Sequence, residues 1–154
     1  MMVYLTRRYR FSAAHRLHAP ALSAEENVRL YGKCNNPYGH GHNYVLDVTV
    51  VGRVDPETGM VCDLGFLDSL VEREVLDRFD ELNLNLDTEN FRDLVPTSEN
   101  ICMEVYRLLM PQLAGAGPER DVRLARVRIG ETSSNSIEYF GEHAGAGAGR
   151  KVRL

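Results

Sequence analysis

The densest chemistry in these 154 residues lies in Cys34-Asn35-Asn36-Pro37-Tyr38-Gly39-His40-Gly41-His42-Asn43-Tyr44. A thiol precedes a His-Gly-His pair, and the pair runs into an alternating apolar segment. On a strand, side chains two apart share a face, so His40 and His42 can grip one object together. His15 closes an earlier alternating segment on that segment's apolar parity. Three neutral imidazoles with one position left open is the ligand pattern of a catalytic zinc (Zn2+), which polarises a carbonyl or hydroxyl oxygen. Two other readings stand beside it: three unrelated histidines satisfied by hydrogen bonds, or a closed structural site with Cys34 as fourth ligand.

Other candidates are more scattered. Cys34 follows Lys33 and precedes a polar turn, and a cation beside a cysteine favours the nucleophilic thiolate; a lone cysteine is otherwise an inert small residue. Glu131 ends an apolar-patterned strand, where a carboxylate can accept an N–H pair of a heterocycle or stand in water. Asp80 and Glu81 open a loop after a helix, the ordinary place for solvated acids. Cys62 and Cys102 lie among apolar neighbours and read as structural.

The elements that must position these residues follow from periodicity. Residues 3–14 alternate, with Val3, Leu5, Tyr9, Phe11 and Ala13 on one parity, and predict a half-buried strand. Residues 16–33 form an excursion with one short helix ending near Gly32. Residues 42–53 predict a second strand. Asp55-Pro56-Glu57-Thr58-Gly59 is a turn by composition, after which Met60 and Val61 extend a short strand. Asp63 caps a helix over 64–79 with Leu64, Leu67, Leu70, Val71, Val75 and Phe79 as its apolar stripe. Residues 80–96 read as a loop. Thr97 or Ser98 caps a second helix, which Pro111 kinks or ends. Strands over 122–131 and 136–141 complete a ββααββ order, an α+β class with a four-stranded antiparallel sheet.

A formal net charge of −4 excludes nucleic acid as the main partner, and Arg123, Arg126 and Arg128 read as a solvated strand edge. No apolar run reaches membrane-spanning length. Three cysteines without framework spacing predict a reducing, cytoplasmic setting. Residues 1–142 read as a single domain, and the Gly/Ala-rich, basic 143–154 as a flexible tail.

Six stretches in this order resemble the 6-pyruvoyl-tetrahydropterin synthase family across about residues 3–142. They are Phe11-Ser12-Ala13-Ala14-His15-Arg16-Leu17, Leu22-Ser23-Ala24-Glu25-Glu26-Asn27, the run from Gly32 to Tyr44, Asp55-Pro56-Glu57-Thr58-Gly59-Met60-Val61, Thr97-Ser98-Glu99-Asn100, and Glu131-Thr132. The resemblance implies the tunnelling fold, with two helices on one sheet face, trimers closing a barrel, and a homohexamer made of two trimers with sites at subunit interfaces. It implies zinc on His15, His40 and His42, Cys34 as the proton-abstracting group, and a pterin ring held by Glu131 near Thr97 and Ser98. The implied substrate is 7,8-dihydroneopterin triphosphate, with magnesium (Mg2+) accompanying the triphosphate. The implied reaction is elimination of triphosphate and internal redox tautomerisation to 6-pyruvoyl-tetrahydropterin. An Asp-His pair is usual after the first long helix of the family; here Asp80 matches and Glu81 stands in place of the histidine. The similar 6-carboxytetrahydropterin synthases of deazapurine biosynthesis use the same substrate but more often show a shorter gap between cysteine and His-x-His. Cys34-x5-His40 therefore favours the pyruvoyl branch. The Glu81 departure also admits a non-catalytic zinc- and pterin-binding relative.

Overall fold

A computed structural model describes residues 1–114 and 122–142. Its centre is a long antiparallel hairpin of β1 (Met2–His15) and β2 (His40–Arg53), paired over its full length from Met2↔Arg53 to His15↔His40. β4 (Arg123–Gly130) pairs antiparallel with β2, and β5 (Ser136–Tyr139) pairs antiparallel with β4. Between hairpin and β4 the chain forms α2 (Leu64–Val71), a π-helical stretch Glu72–Leu76, α3 (Asp77–Phe79), and α4 (Ser98–Ala114). The excursion before β2 holds α1 (Ala24–Tyr31) and the 3-10 turn Gly32–Asn35.

The α+β class and the helices on one face hold; the four-strand count does not. A two-residue strand, β3 (Leu82–Asn83), pairs parallel with β1 through Ala13↔Leu82 and Ala14↔Asn83, giving the order β3-β1-β2-β4-β5. Its residues carry no alternation because two residues cannot, so it reads as loop. The third and fourth predicted strands become β4 and β5. Met60 and Val61 form no strand; the preceding turn closes on itself, with Asp55 Oδ1 accepting from the N–H groups of Glu57 and Thr58.

Phe11, Tyr44, Leu46, Val48 and Val50 on the hairpin bury against Leu67, Leu70, Val75, Phe79, Ile101, Val105 and Leu109 of the helices. Each such side chain contributes about 1.5–3 kcal/mol by leaving water. Asp63 caps α2 as expected, accepting from Gly65 and Phe66 N–H at 2.8 and 3.2 Å. Leu64 leaves the predicted stripe and is exposed. The π-helical stretch adds a residue to the helical repeat, and with it Val71, Val75 and Phe79 all face the core. Pro111 does not end α4: the helix continues to Ala114, and burial of Leu113 offsets the hydrogen bond that proline cannot donate. The predicted stop at 115–118 and the tail 143–154 lie outside the described residues.

The opposite face of the sheet is polar. Arg8 donates two bonds to Asp47 at 2.7 and 3.0 Å, and Arg128 reaches the same carboxylate at 3.3 Å. Arg126 donates to Glu138 at 2.8 Å. Arg126 and Arg128 of the basic run are therefore partnered, and β4 is an interior strand rather than an edge. Burial pushes the Cys102 thiol up to about 12, and Cys62 is also buried, as structural cysteines should be.

Candidate active site

Cross-strand neighbours on an antiparallel pair share a face. The register therefore stacks His15 with His40, Ala13 with His42, and Phe11 with Tyr44 on the helix-covered side of the hairpin. Gly39 makes the entry into β2 tight enough: its φ is +73°, and a Cβ there would lie 2.9 Å from the His15 carbonyl oxygen. The candidate ligand atoms of His15, His40 and His42 all fall within 4.8 Å of one another.

His15 is fully buried, and its Nδ1 lies 2.7 Å from the Pro96 carbonyl oxygen. A carbonyl only accepts, so the hydrogen sits on Nδ1 and Nε2 presents its lone pair. That Nε2 is 3.1 Å from His40 Nε2. His40 Nδ1 and His42 Nε2 are buried without a hydrogen-bond partner. The orphaned His42 Nε2, beside the His15 lone pair and the His40 Nε2 that faces it, fits a metal ion, while His40 Nδ1 is the nitrogen of that ring remote from His15. Burial lowers the His15 pKa below 6.5 against the opposing Pro96 bond, with His40 and His42 lowering it further. Burial and then His42 lower His40 from the same value. Both rings are thus biased toward the neutral, ligating form.

Glu131, just past β4, brings Oε1 to 3.7 Å from His42 Nε2 and 3.9 Å from His15 Nε2. Thr97 is the cap of α4, its Oγ1 accepting from Asn100 N–H at 3.3 Å. Ser98 Oγ is buried without a partner. Because Pro96 holds His15, the start of α4 and the histidine cluster form one unit. Cys34 lies in the 3-10 turn, whose backbone is drawn over the end of β1 by Leu17 N–H donating to the Cys34 carbonyl at 2.9 Å. Burial, then Glu131 and Cys34, raise the Tyr44 phenol above its ordinary range.

A family model for 6-pyruvoyl tetrahydropterin synthase matches residues 4–142. The chain belongs to the 6-pyruvoyl tetrahydropterin synthase family. It is 45% identical over 139 residues to a 6-pyruvoyl tetrahydrobiopterin synthase of Poecilia reticulata, covering 90% of each chain. The Homo sapiens protein of that name is 43% identical over 138 residues, covering 90% of this chain and 91% of the relative. The structure of the Caenorhabditis elegans 6-pyruvoyl tetrahydropterin synthase superposes with a TM-score of 0.82 at 43% identity, covering 92% of this chain and 96% of that one. More distantly, a putative 6-carboxy-5,6,7,8-tetrahydropterin synthase of Archaeoglobus fulgidus is 33% identical over 118 residues, covering 77% of this chain and 88% of the relative.

Within one chain, this member of the family brings His15, His40, His42 and Glu131 together, with the start of α4 tied to them. Asp80 and Glu81 are held elsewhere. Asp80 Oδ1 accepts from Ser12 N–H at 2.7 Å, and Glu81 N–H donates to Ser12 O at 2.6 Å. Both bonds are to main-chain groups of Ser12, which lie in the plane of the sheet at the β3 edge of β1. Glu81 lines an open cleft of 510 Å³ with Ser12, Asn43 and Asp87, which His42 also borders. Its φ of +60° is left-handed. His18 is engaged by Asn35 at 3.1 Å. Sequence reasoning missed Pro96 and Tyr44. A backbone carbonyl leaves no signal in side-chain types, but Tyr44 shares the parity of His42 and could have been read as its neighbour. Among the described residues no helix is long and apolar enough to cross a membrane.

Proposed function

We propose that this chain is a zinc-dependent lyase that converts 7,8-dihydroneopterin triphosphate to 6-pyruvoyl-tetrahydropterin with loss of triphosphate. The observation that carries the reading is the convergence of three imidazoles on a point flanked by the Glu131 carboxylate. His15, His40 and His42 would hold the metal, and neutral imidazoles with an open fourth position suit zinc. When bound, the metal supplies Lewis-acid polarisation of the substrate's side-chain oxygens, which acidifies the neighbouring C–H. Glu131 holds the N–H pair of the pterin ring, and the unpartnered Ser98 hydroxyl beside Thr97 offers a further hydrogen bond. Cys34 takes the C–H proton. Magnesium neutralises charge on the triphosphate.

Asp80 and Glu81 complete the site from another copy of the chain in a hexamer of two trimers. Two points support this: their hydrogen bonds run to the backbone of Ser12 at the β3 edge of β1 and not to the histidines, and the family resemblance implies sites at subunit interfaces. Glutamate can shuttle protons, but its negative charge opposes thiolate formation at Cys34. Glu81→His is therefore expected to raise kcat several-fold. Histidine tolerates a left-handed backbone, so the swap tests chemistry rather than folding. An unchanged or lower kcat in steady-state assays would remove Glu81 from the proton path.

Incubation with 7,8-dihydroneopterin triphosphate and mass spectrometry of the products tests the whole reading. The expected products are 6-pyruvoyl-tetrahydropterin and triphosphate. A carboxyl product formed with acetaldehyde would assign the chain to the 6-carboxytetrahydropterin branch. Pterin binding without turnover, unrelieved by Glu81→His, would make it a binding protein.

Proton competition gives a further expectation. His15 and His40 have pKa values below 6.5 in the folded chain. In metal-free protein the unfolded state thus binds more protons as pH falls below 6.5. The stability from keeping these rings neutral is present above 6.5 and is lost as pH falls through their folded values. Metal-free protein should therefore lose stability as pH falls below 6.5, and metal should protect against the loss. Urea titrations across that window, with and without zinc, check both; a zinc effect that is the same at every pH would contradict it.

A further inference from the structure

Tyr44 is fully buried, yet it is not merely a core ring. It stacks on Phe11 at 4.9 Å with planes 20° apart, and turns its other surroundings toward the metal-binding histidines. The His42 ring lies 5.5 Å away, and the His15 ring 6.3 Å away at 85°. Its hydroxyl oxygen is 3.4 Å from His15 Nδ1, the nitrogen that Pro96 engages at 2.7 Å. Since the Pro96 carbonyl requires the hydrogen on Nδ1, the tyrosine oxygen meets that N–H as an acceptor. The two oxygens form a three-centre arrangement, with Pro96 the short branch and Tyr44 the long one. One acceptor fixes the direction of an N–H; a second, off that line, also fixes the rotation of the ring plane about it.

We propose that Tyr44 is a positioning residue of the metal centre, its hydroxyl acting with the Pro96 carbonyl to set the plane and basicity of His15. This rests on the reading of the three histidines as metal ligands. Partners of a ligand's remote N–H orient the ring and strengthen it as a donor, and their loss typically costs 10- to 100-fold in metal affinity (about that range). Tyr44 supplies the longer branch, so the lower end of that range is expected.

Tyr44→Phe keeps the ring and its stacking while deleting only the hydroxyl. Full-length wild-type and variant proteins, stripped of metal, are titrated with cobalt(II) as the probe, and the visible ligand-field bands are recorded. Tyr44→Phe should bind cobalt about tenfold more weakly, with displaced bands. Phe11→Leu, which disturbs the stacking but keeps the hydroxyl, should show wild-type bands and affinity. If Tyr44→Phe matches wild type in both readouts, Tyr44 is a core side chain and the proposal fails. If Phe11→Leu reproduces the Tyr44→Phe changes, packing explains them and the proposal fails. If wild type binds no cobalt, the metal reading itself falls, and the Tyr44 role with it.

Discussion

Replacing Cys34 by alanine is expected to leave the metal in place and remove turnover. The three histidines reach their common point from β1 and β2 through the hairpin register and the Pro96 bond, and none of those contacts involves the thiol. Cys34 comes from a separate segment, the 3-10 turn before β2. A positioned proton acceptor contributes about 100- to 10,000-fold, so kcat should fall by that much at stoichiometric zinc. Metal analysis alongside an assay for released triphosphate separates the two roles. Loss of zinc from Cys34→Ala would instead make the thiol the fourth ligand and close the position that substrate needs.

The second large effect belongs to His42→Ala. His42 sits at the rim of the cluster, while His15 is enclosed and bonded to Pro96. Alanine at position 15 would open a cavity and free the Pro96 carbonyl, mixing folding with binding. Alanine at position 42 removes one ligand and little packing. Two imidazoles then remain, and zinc affinity should fall by more than the roughly 100-fold that loss of an outer partner can cost. Circular dichroism should be preserved, and the metal should be absent after dialysis against a weak chelator. Stoichiometric zinc retained by His42→Ala would overturn the three-histidine assignment.

These expectations were readable in the chain to unequal degrees, for physical reasons. The parity of His15, His40 and His42 with the apolar faces was legible because a strand repeats every two residues, and the observed register stacks them. Glu131 was legible as the residue following a strand, but its approach to His15 and His42 depends on β4 lying beside β2. β3 was hidden because two residues carry no period. The pairing of Arg126 and Arg128 with Glu138 and Asp47 was hidden because it crosses three strands. Likewise, the tie from Pro96 to His15 joins atoms 81 residues apart in sequence, through a carbonyl that every residue possesses.

The π-helical stretch Glu72–Leu76 has a consequence for the acids beyond it. A regular α-helix turns about 100° per residue. One residue accommodated in a wide turn therefore dephases everything downstream by about that angle relative to an uninterrupted helix. Phe79 faces the core, and the next residue, Asp80, leaves the helix where it can accept the Ser12 N–H. The widened turn acts as a rotary offset: it aims the exit of the helix, and so the bearing of Asp80 and Glu81, without any of its own side chains entering the histidine cluster.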